Sequence, residues 1–93
     1  MTSLYHIYVH PKKGISNEQL EKVMNNAVDW YRYRDNAYIV YTTSDETKWQ
    51  ERLKPLVDPD GHLLITKLQP SEFNGWMPKK FWEWYKDKLK KIS

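Results

Sequence analysis

Two arginines, Arg32 and Arg34, alternate with aromatic side chains in the segment 30–34, which reads WYRYR. Guanidinium groups bind phosphates and aromatic rings stack on bases, so this pattern is typical of a nucleic-acid contact. The same aromatic residues could instead be buried against helices or a partner sheet. The basic–Gly–aromatic signature of RNA-recognition domains does not occur in the sequence, so base stacking has no motif behind it. Both interpretations stay open.

Lysines form two further candidate phosphate contacts. Lys12 and Lys13 lie in a loop just before a predicted helix N-terminus, which favours anions. Lys79 and Lys80 begin a basic C-terminal stretch: residues 1–78 carry a net charge of −1 and residues 79–93 carry +4. Such a basic end attracts phosphates. The alternative is a solvated loop at Lys12 and Lys13, and a lysine-rich helix end that complements the helix dipole.

The chain has no cysteine and therefore no thiolate metal site, so its three histidines are the residues that suggest a metal. His6 and His10 are four strand residues apart, roughly 13 Å, which is too far for one ion. Two of the three histidines, His62 included, could meet only across a dimer axis. We therefore interpret all three as ordinary surface or interface residues and expect no metal site. No Ser/His/Asp order, zinc-binding HExxH motif or P-loop occurs. We accordingly expect no catalytic residue and no cofactor.

Aromatic side chains are more numerous than one small core needs, with five Trp and seven Tyr in 93 residues. Trp82 and Trp84 are two positions apart on a predicted helix and point away from each other. We expect one of them to be exposed or covered by another chain. The candidate residues for a homodimer or protein-partner interface are Tyr8, Trp30, Trp76, Trp82 and Trp84.

The elements that position these residues follow from the hydrophobic pattern. Alternation predicts strands, and apolar residues at helical spacing predict helices. Ser16 and Gln19 form a capping box at the start of the first helix, and Asp35-Asn36 is a tight turn tolerant of positive φ. The predicted elements are strands at 4–10, 30–34, 37–43 and 62–68, a helix from 17 to about 28, a helix from Thr43 or Ser44 that Pro55 stops, and a last helix within 76–91.

The resulting order is βαββαβ followed by a helix, which predicts an α+β, ferredoxin-like sandwich in one domain spanning 1–93. Two helices back one side of the sheet, and the other side is left free to meet a ligand or partner. No apolar run reaches the ~20 residues of a membrane span, and residues 1–10 lack the features of a signal peptide. We therefore expect a cytoplasmic protein without membrane contact.

Several segments resemble the small SinR-like proteins, relatives of the second CRISPR-associated protein, a dimeric subunit of the spacer-integration complex. The strongest similarity is the helix end 53–58 (LKPLVD) followed by the apolar strand 63–65 (LLI). The hairpin 29–43 and the late tryptophan-rich helix are similar too, so the resemblance covers roughly residues 4–85. It implies a ferredoxin-like fold, a homodimer and, in the CRISPR branch, nucleic-acid contact with, in some members, metal-dependent nuclease activity.

That nuclease activity is attributed in the family to an aspartate at the end of the first strand, one from each protomer. The corresponding position here is His10. Mg²⁺ prefers carboxylate oxygens, which an imidazole replaces poorly. The nuclease role is therefore not carried over to any residue of this chain.

Three hypotheses result. The first is a non-catalytic homodimer that docks on nucleic acid or on a protein–nucleic-acid complex; by association, such proteins serve as accessory or inhibitory factors of mobile elements. The second is a small metal-dependent endonuclease of the CRISPR-associated type. The third is a purely protein-binding module.

Overall fold

Seven elements make up the chain in a computed structural model, which describes residues 1–92. Each of the first two helices connects two strands, the second and third strands form a hairpin, and one more helix follows the fourth strand. The elements are β1 (Ser3–His10), α1 (Asn17–Met24), β2 (Asp29–Arg34), β3 (Ala37–Thr42), α2 (Glu46–Val57), β4 (His62–Lys67) and α3 (Lys79–Lys91). The protein is thus an α+β structure with one four-stranded sheet and three helices among its described residues.

The sheet is antiparallel throughout, with strand order β2-β3-β1-β4. β1 lies in the centre, pairing with β3 on one side and β4 on the other. Tyr8 lies opposite both Ala37 and Leu64, and His10 lies opposite His62. Because side chains alternate along a strand, these registers define two faces of the sheet, called here the first and the second face.

The first face is covered by α1 and α2. Tyr5, Ile7 and Val9 of β1 point into this layer, as their spacing predicted, and Trp49 of α2 packs over them with no exposed surface. The remaining buried members are Leu20, Met24, Tyr38, Val40, Leu53 and Val57. This layer is the larger of the two apolar clusters.

The second face is covered by α3, but only in part. Phe81 and Tyr85 of α3 pack against Leu4, Ile39 and Tyr41 of the sheet. Tyr31 and Tyr33 of β2 join the same cluster. α3 therefore lies over β2, β3 and the start of β1, and the part of the second face around Tyr8 and Leu64 stays open.

Helix α1 starts as its sequence predicts and ends early. Ser16 and Gln19 make both hydrogen bonds of the capping box. The helix ends at Met24 rather than near Val28, and Val28 is exposed rather than part of the buried stripe. The helix ends early because the backbone amide of Val28 donates to the carbonyl of Tyr41 in β3, so the chain pairs with the sheet from this residue on.

Helix α2 differs from its prediction at both ends. Its N-cap is Asp45, whose side chain accepts from the amide of Lys48, so the cap on Thr43 or Ser44 was wrong. Pro55 does not stop the helix, which continues to Val57. Proline removes one amide, but the next turn closes through the bond from Asp58 to Lys54, and burial of Val57 against the first face favours the extension.

The β2–β3 hairpin turns at Asp35-Asn36 as predicted, but the backbone dihedral angles of the turn differ from the expected ones. Among the described residues only Gly14 has positive φ, so neither turn residue does. The pairing register instead shifts between Arg32 and Arg34. Such an irregularity adds local twist, which a tight turn otherwise supplies through positive φ.

Within residues 1–92, the helices are all too short and too polar to cross a bilayer.

Candidate functional site

Arg32 is engaged by its own chain. Its guanidinium lies 3.4 Å from Glu21 of α1, donates to Asn17 at 3.0 Å and to the carbonyl of Asp35 at 2.8 Å. It also lies over the ring of Tyr38, 5.4 Å from the centroid. With 21% of its side chain exposed, Arg32 ties β2 to α1 on the first face and has little capacity left for a phosphate.

The other residues of the 30–34 segment divide between the two faces, as their alternation predicted. Trp30 is half-buried against the first face, with its ring on Tyr38 and its indole N–H donating to Asn25 at 2.9 Å. Tyr33 lies under α3 on the second face. Arg34, beyond the register shift, is exposed. The arginine–aromatic alternation therefore does not form a continuous stacking surface.

One ion pair fastens α3 to the edge of the sheet. The Lys88 ammonium, almost fully buried, lies 2.8 Å from Asp29 at the start of β2. The indole N–H of Trp84 donates to the same carboxylate at 3.0 Å. The ammonium also lies over the rings of Tyr41 and Trp84, at 5.7 and 5.5 Å.

The pKa values of this pair follow from its contacts. Burial by itself raises the pKa of Asp29, but hydrogen bonds from Lys88, the Trp30 amide and Trp84 outweigh it and lower the pKa below its ordinary value. The hydrogen bond to Asp29 raises the pKa of Lys88. Both groups are thus held in their charged forms, and this lysine of the basic C-terminal stretch is a structural one.

Trp82 and Trp84 are both half-buried by their own chain. Trp84 packs on Tyr31 with ring centroids 5.6 Å apart, and Trp82 packs on Phe73 at 5.6 Å. The expectation that one of the two is exposed was wrong, because the helix lies on the sheet face and aromatic neighbours flank it on both sides. Contact of either ring with another chain stays a prediction.

The exposed tryptophan is Trp76, with 98% of its surface accessible. It lies in the connection between β4 and α3, beside a cavity of about 220 Å³ whose wall includes Phe73, Met77 and Phe81. Lys79 and Lys80, both exposed, follow at the start of α3. Residues 73–80 thus combine exposed aromatic surface with two free-standing positive charges, and we call them the aromatic–basic segment.

Sequence reasoning included Trp76, Lys79 and Lys80 but missed Phe73 and Met77. Their signal was present, since the irregular segment 73–78 (FNGWMP) holds three large apolar residues with no predicted helix or strand to bury them. Large apolar residues in a loop indicate either a local cluster or a contact surface.

Tyr8 marks the open part of the second face. It is 38% exposed, and Leu64, directly opposite on β4, is 61% exposed. β4 is an edge strand, so its outer backbone groups have no partner strand within the described chain. An exposed apolar pair beside a free strand edge is a surface on which another chain can pair or pack.

Lys12 and Lys13 lie at one end of the sheet, in a polar depression that also includes Asp35 and Asp60. The amide of Lys12 donates to the carbonyl of Leu56 at 2.8 Å, which fixes the loop to α2. The two aspartates offset the two lysines, so this depression has weaker attraction for a phosphate than the lysine pair alone would give.

The histidines are arranged differently from expectation. His6 is half-buried and hydrogen-bonds to the hydroxyl of Tyr33, and burial lowers its pKa. His10 and His62 lie side by side at the same end of the sheet, with ring centroids 6.0 Å apart. Among residues 1–92, no group of three or more His, Cys, Asp or Glu side chains is arranged to hold a metal ion.

In comparisons with known proteins, no family model matches the chain, and no curated protein or solved structure matches it significantly.

Proposed function

We propose that this protein is a non-catalytic interaction module, built on a ferredoxin-like frame, that docks on nucleic acid through its aromatic–basic segment. The strand order β2-β3-β1-β4 with all-antiparallel pairing supports the ferredoxin-like assignment. The relationship of this chain to SinR-like proteins remains a prediction from the resemblance. The hypothesis that this chain is a metal-dependent nuclease, as some of their relatives are, rests on the same resemblance.

One observation carries the proposal: Trp76 is 98% exposed and two exposed lysines follow it within four residues. Stacking of a base on an aromatic ring contributes roughly 1–3 kcal/mol, and neighbouring lysines attract the backbone phosphates. This pairing of ring and charge suits a single strand, whose bases are free to stack, better than a duplex. The aromatic–basic segment takes the role that the sequence assigned first to Arg32 and Arg34.

The test is a titration of the protein with short labelled single-stranded RNA and DNA at several salt concentrations. We expect binding that weakens as salt rises, a lower affinity in Trp76→Ala, and a shallower salt dependence in Lys79→Gln/Lys80→Gln. Lys12→Gln/Lys13→Gln is the matched control, because it removes the same charge at the other lysine pair. Equal losses from both double variants would contradict the assignment of the surface, and no binding at low salt would contradict the function.

A purely protein-binding role is the second candidate, and the apolar cavity beside Trp76 favours it. Exposed tryptophans next to apolar pockets are typical hot spots of protein interfaces. In the titration above, this role is indicated if no oligonucleotide binds under any salt condition.

We further propose that the module is a homodimer. The exposed pair of Tyr8 and Leu64, beside the free edge of β4, supports this. Sedimentation equilibrium tests it: Leu64→Lys places like charges at a two-fold contact of this surface and is expected to shift the protein towards monomer. A wild-type protein that sediments as a monomer at high micromolar concentration would refute the homodimer without affecting the nucleic-acid proposal.

A further inference from the structure

His10 and His62 form a cross-strand pair at the open end of the second face. His10 is the last residue of β1, His62 is the first of β4, and the two are direct partners in the antiparallel register. Their rings are tilted by 30° with centroids 6.0 Å apart, and both side chains are exposed. Two imidazoles from adjacent strands thus face the same volume of solvent.

Gly61 makes this juxtaposition possible. A Cβ at position 61 would lie 2.4 Å from the carbonyl oxygen of His10 and 2.9 Å from Val57, both backbone contacts that cannot yield. The amide of Gly61 donates to the carbonyl of Val57 at 2.6 Å. The turn after α2 therefore passes directly against the end of β1, and it places His62, the first residue of β4, beside His10.

The separation of the rings suits a shared ion. Two imidazoles on one tetrahedral ion, with metal–nitrogen bonds of about 2.1 Å, have centroids roughly 5 Å apart. Rotation of two exposed side chains bridges the difference of about 1 Å. We propose that His10 and His62 chelate one divalent cation of the kind that prefers imidazole, represented by Zn²⁺, Ni²⁺ or Cu²⁺.

The chemistry of this site differs from the one that the family resemblance implies. Both ligands come from one chain and from two strands, and both are nitrogen donors, so Mg²⁺ is not the preferred ion. Two ligands leave coordination positions for water or for a donor from a docking partner. The carboxylates of Asp35 and Asp60 in the adjoining depression offset the charge of Lys12 and Lys13, which otherwise oppose a cation.

Binding at this pair has a thermodynamic signature, because the two histidines are adjacent only when β1 and β4 are paired. A ligand that binds the folded state better than the unfolded one raises the melting temperature. At a hundredfold excess over Kd, we expect the Tm of the metal-free protein to rise by roughly 10–20 °C with Ni²⁺ or Zn²⁺, and to stay unchanged with Mg²⁺.

The test compares three single variants, His10→Gln, His62→Gln and His6→Gln, by isothermal titration with Ni²⁺ and by thermal melting. The first two are expected to lose affinity at least tenfold and to lose the Tm rise, whereas His6→Gln keeps both, because His6 faces Tyr33 and not this pair. Wild-type affinity in either His10→Gln or His62→Gln would overturn the proposal, and so would the absence of saturable binding in the wild type.

A spectroscopic readout keeps the proposal falsifiable if a variant folds poorly. Substoichiometric Cu²⁺, added to the intact wild-type protein, broadens the NMR signals of rings near the ion. Simultaneous broadening of the His10 and His62 rings, with His6 unaffected, supports the shared site. Broadening of one ring alone, or of all three equally, overturns it.

Discussion

The two faces of the sheet are built in different ways. The first face is closed by α1 and α2, each of which connects two strands of the sheet, and its centre is the fully buried Trp49. The second face is closed in part by α3, which follows an eleven-residue connection after β4 and packs on β2, β3 and the start of β1. Its centre is a set of aromatic rings packed mostly edge to face, and an ion pair between nearly buried Lys88 and partly exposed Asp29 lies at its edge.

Because of this difference, the first face mainly stabilises the fold, whereas the second face also provides surface for contact with other molecules. The first face leaves no large apolar side chain accessible at its centre, whereas the second ends in exposed Trp76 on one side and exposed Tyr8 and Leu64 on the other. A small domain needs one well-packed layer to fold, and the second layer is then free to carry binding surface. Substitutions on the two faces should accordingly have different consequences.

The largest effect is expected at the centre of the first face. Trp49→Ala removes a fully buried side chain and should lower the free energy of unfolding by about 3–5 kcal/mol. It also removes the bond from the indole N–H to the hydroxyl of Thr42 at 3.2 Å. Urea unfolding followed by circular dichroism measures the loss. Trp49→Phe is the control that keeps most of the volume and loses the hydrogen bond, and a loss as large as that of alanine would contradict a packing origin.

A smaller effect is expected at the corresponding centre of the second face. Phe81→Ala opens a gap against Tyr31, whose ring centroid lies 5.4 Å away, and should cost about 3 kcal/mol. Hydrogen exchange can tell whether this face opens on its own. We expect faster exchange in α3 with little change in α1 and α2. Equal acceleration in all three helices would show that the two faces unfold as one unit, which contradicts an independently opening second face.

The ion pair on the second face should contribute less again. Lys88→Ala leaves the partly exposed Asp29 without its cation and should cost about 1–2 kcal/mol, less than for a fully buried pair because solvent screens the carboxylate. Lys91→Ala is the matched control: Lys91 pairs with Asp87 at 3.2 Å on the exposed side of the same helix, and its loss should stay below about 0.5 kcal/mol.

The pH dependence of the same pair has a defined sign. Asp29 has a lowered pKa in the folded state, so its contribution is complete above its ordinary value of 3.8 and is lost as the pH falls through the folded value. Lys88 has a raised pKa, so its contribution is complete below 10.5 and is lost as the pH rises through the folded value. The stability difference between wild type and Lys88→Ala should therefore be constant between about pH 4 and 10 and shrink in acid. A difference unchanged at pH 2 would assign the effect to packing.

The parts of this structure that were predictable are the locally encoded ones. Ser16 and Gln19 specify the start of α1, and Asp35-Asn36 specifies the hairpin, because a cap or a turn depends on a few adjacent residues. Pro55 misled for the opposite reason: the penalty of ~3 kcal/mol or more belongs to a helix interior, whereas Pro55 lies two residues before the end of α2, where burial of Val57 against the sheet favours the last turn.

Long-range placement was the part that sequence could not supply. The spacing of Phe81 and Tyr85 predicts a helix, but nothing in that spacing says which sheet face it covers. Arg32 looked free because its partners Glu21 and Asn17 lie on another element, at a distance that only the folded chain defines. The expectation that two histidines could meet only across a dimer axis was wrong for the same reason, because the antiparallel pairing of β1 and β4 places His10 and His62 opposite each other within one chain.

The smallest effect on stability is expected at Trp76, and its size tests whether this ring belongs to the contact surface or to the packed part of the second face. Its side chain is almost completely accessible, so Trp76→Ala removes little buried area and should change the free energy of unfolding by less than about 0.5 kcal/mol. Trp82→Ala is the control on the same aromatic surface: its ring packs on Phe73 and Phe81, and its loss should cost about 2 kcal/mol. Urea unfolding of both variants gives the comparison. A destabilisation above about 1 kcal/mol in Trp76→Ala would mean that this ring closes the cavity beside it in solution, and Trp76 would then belong to the packed part of the second face rather than to its contact surface.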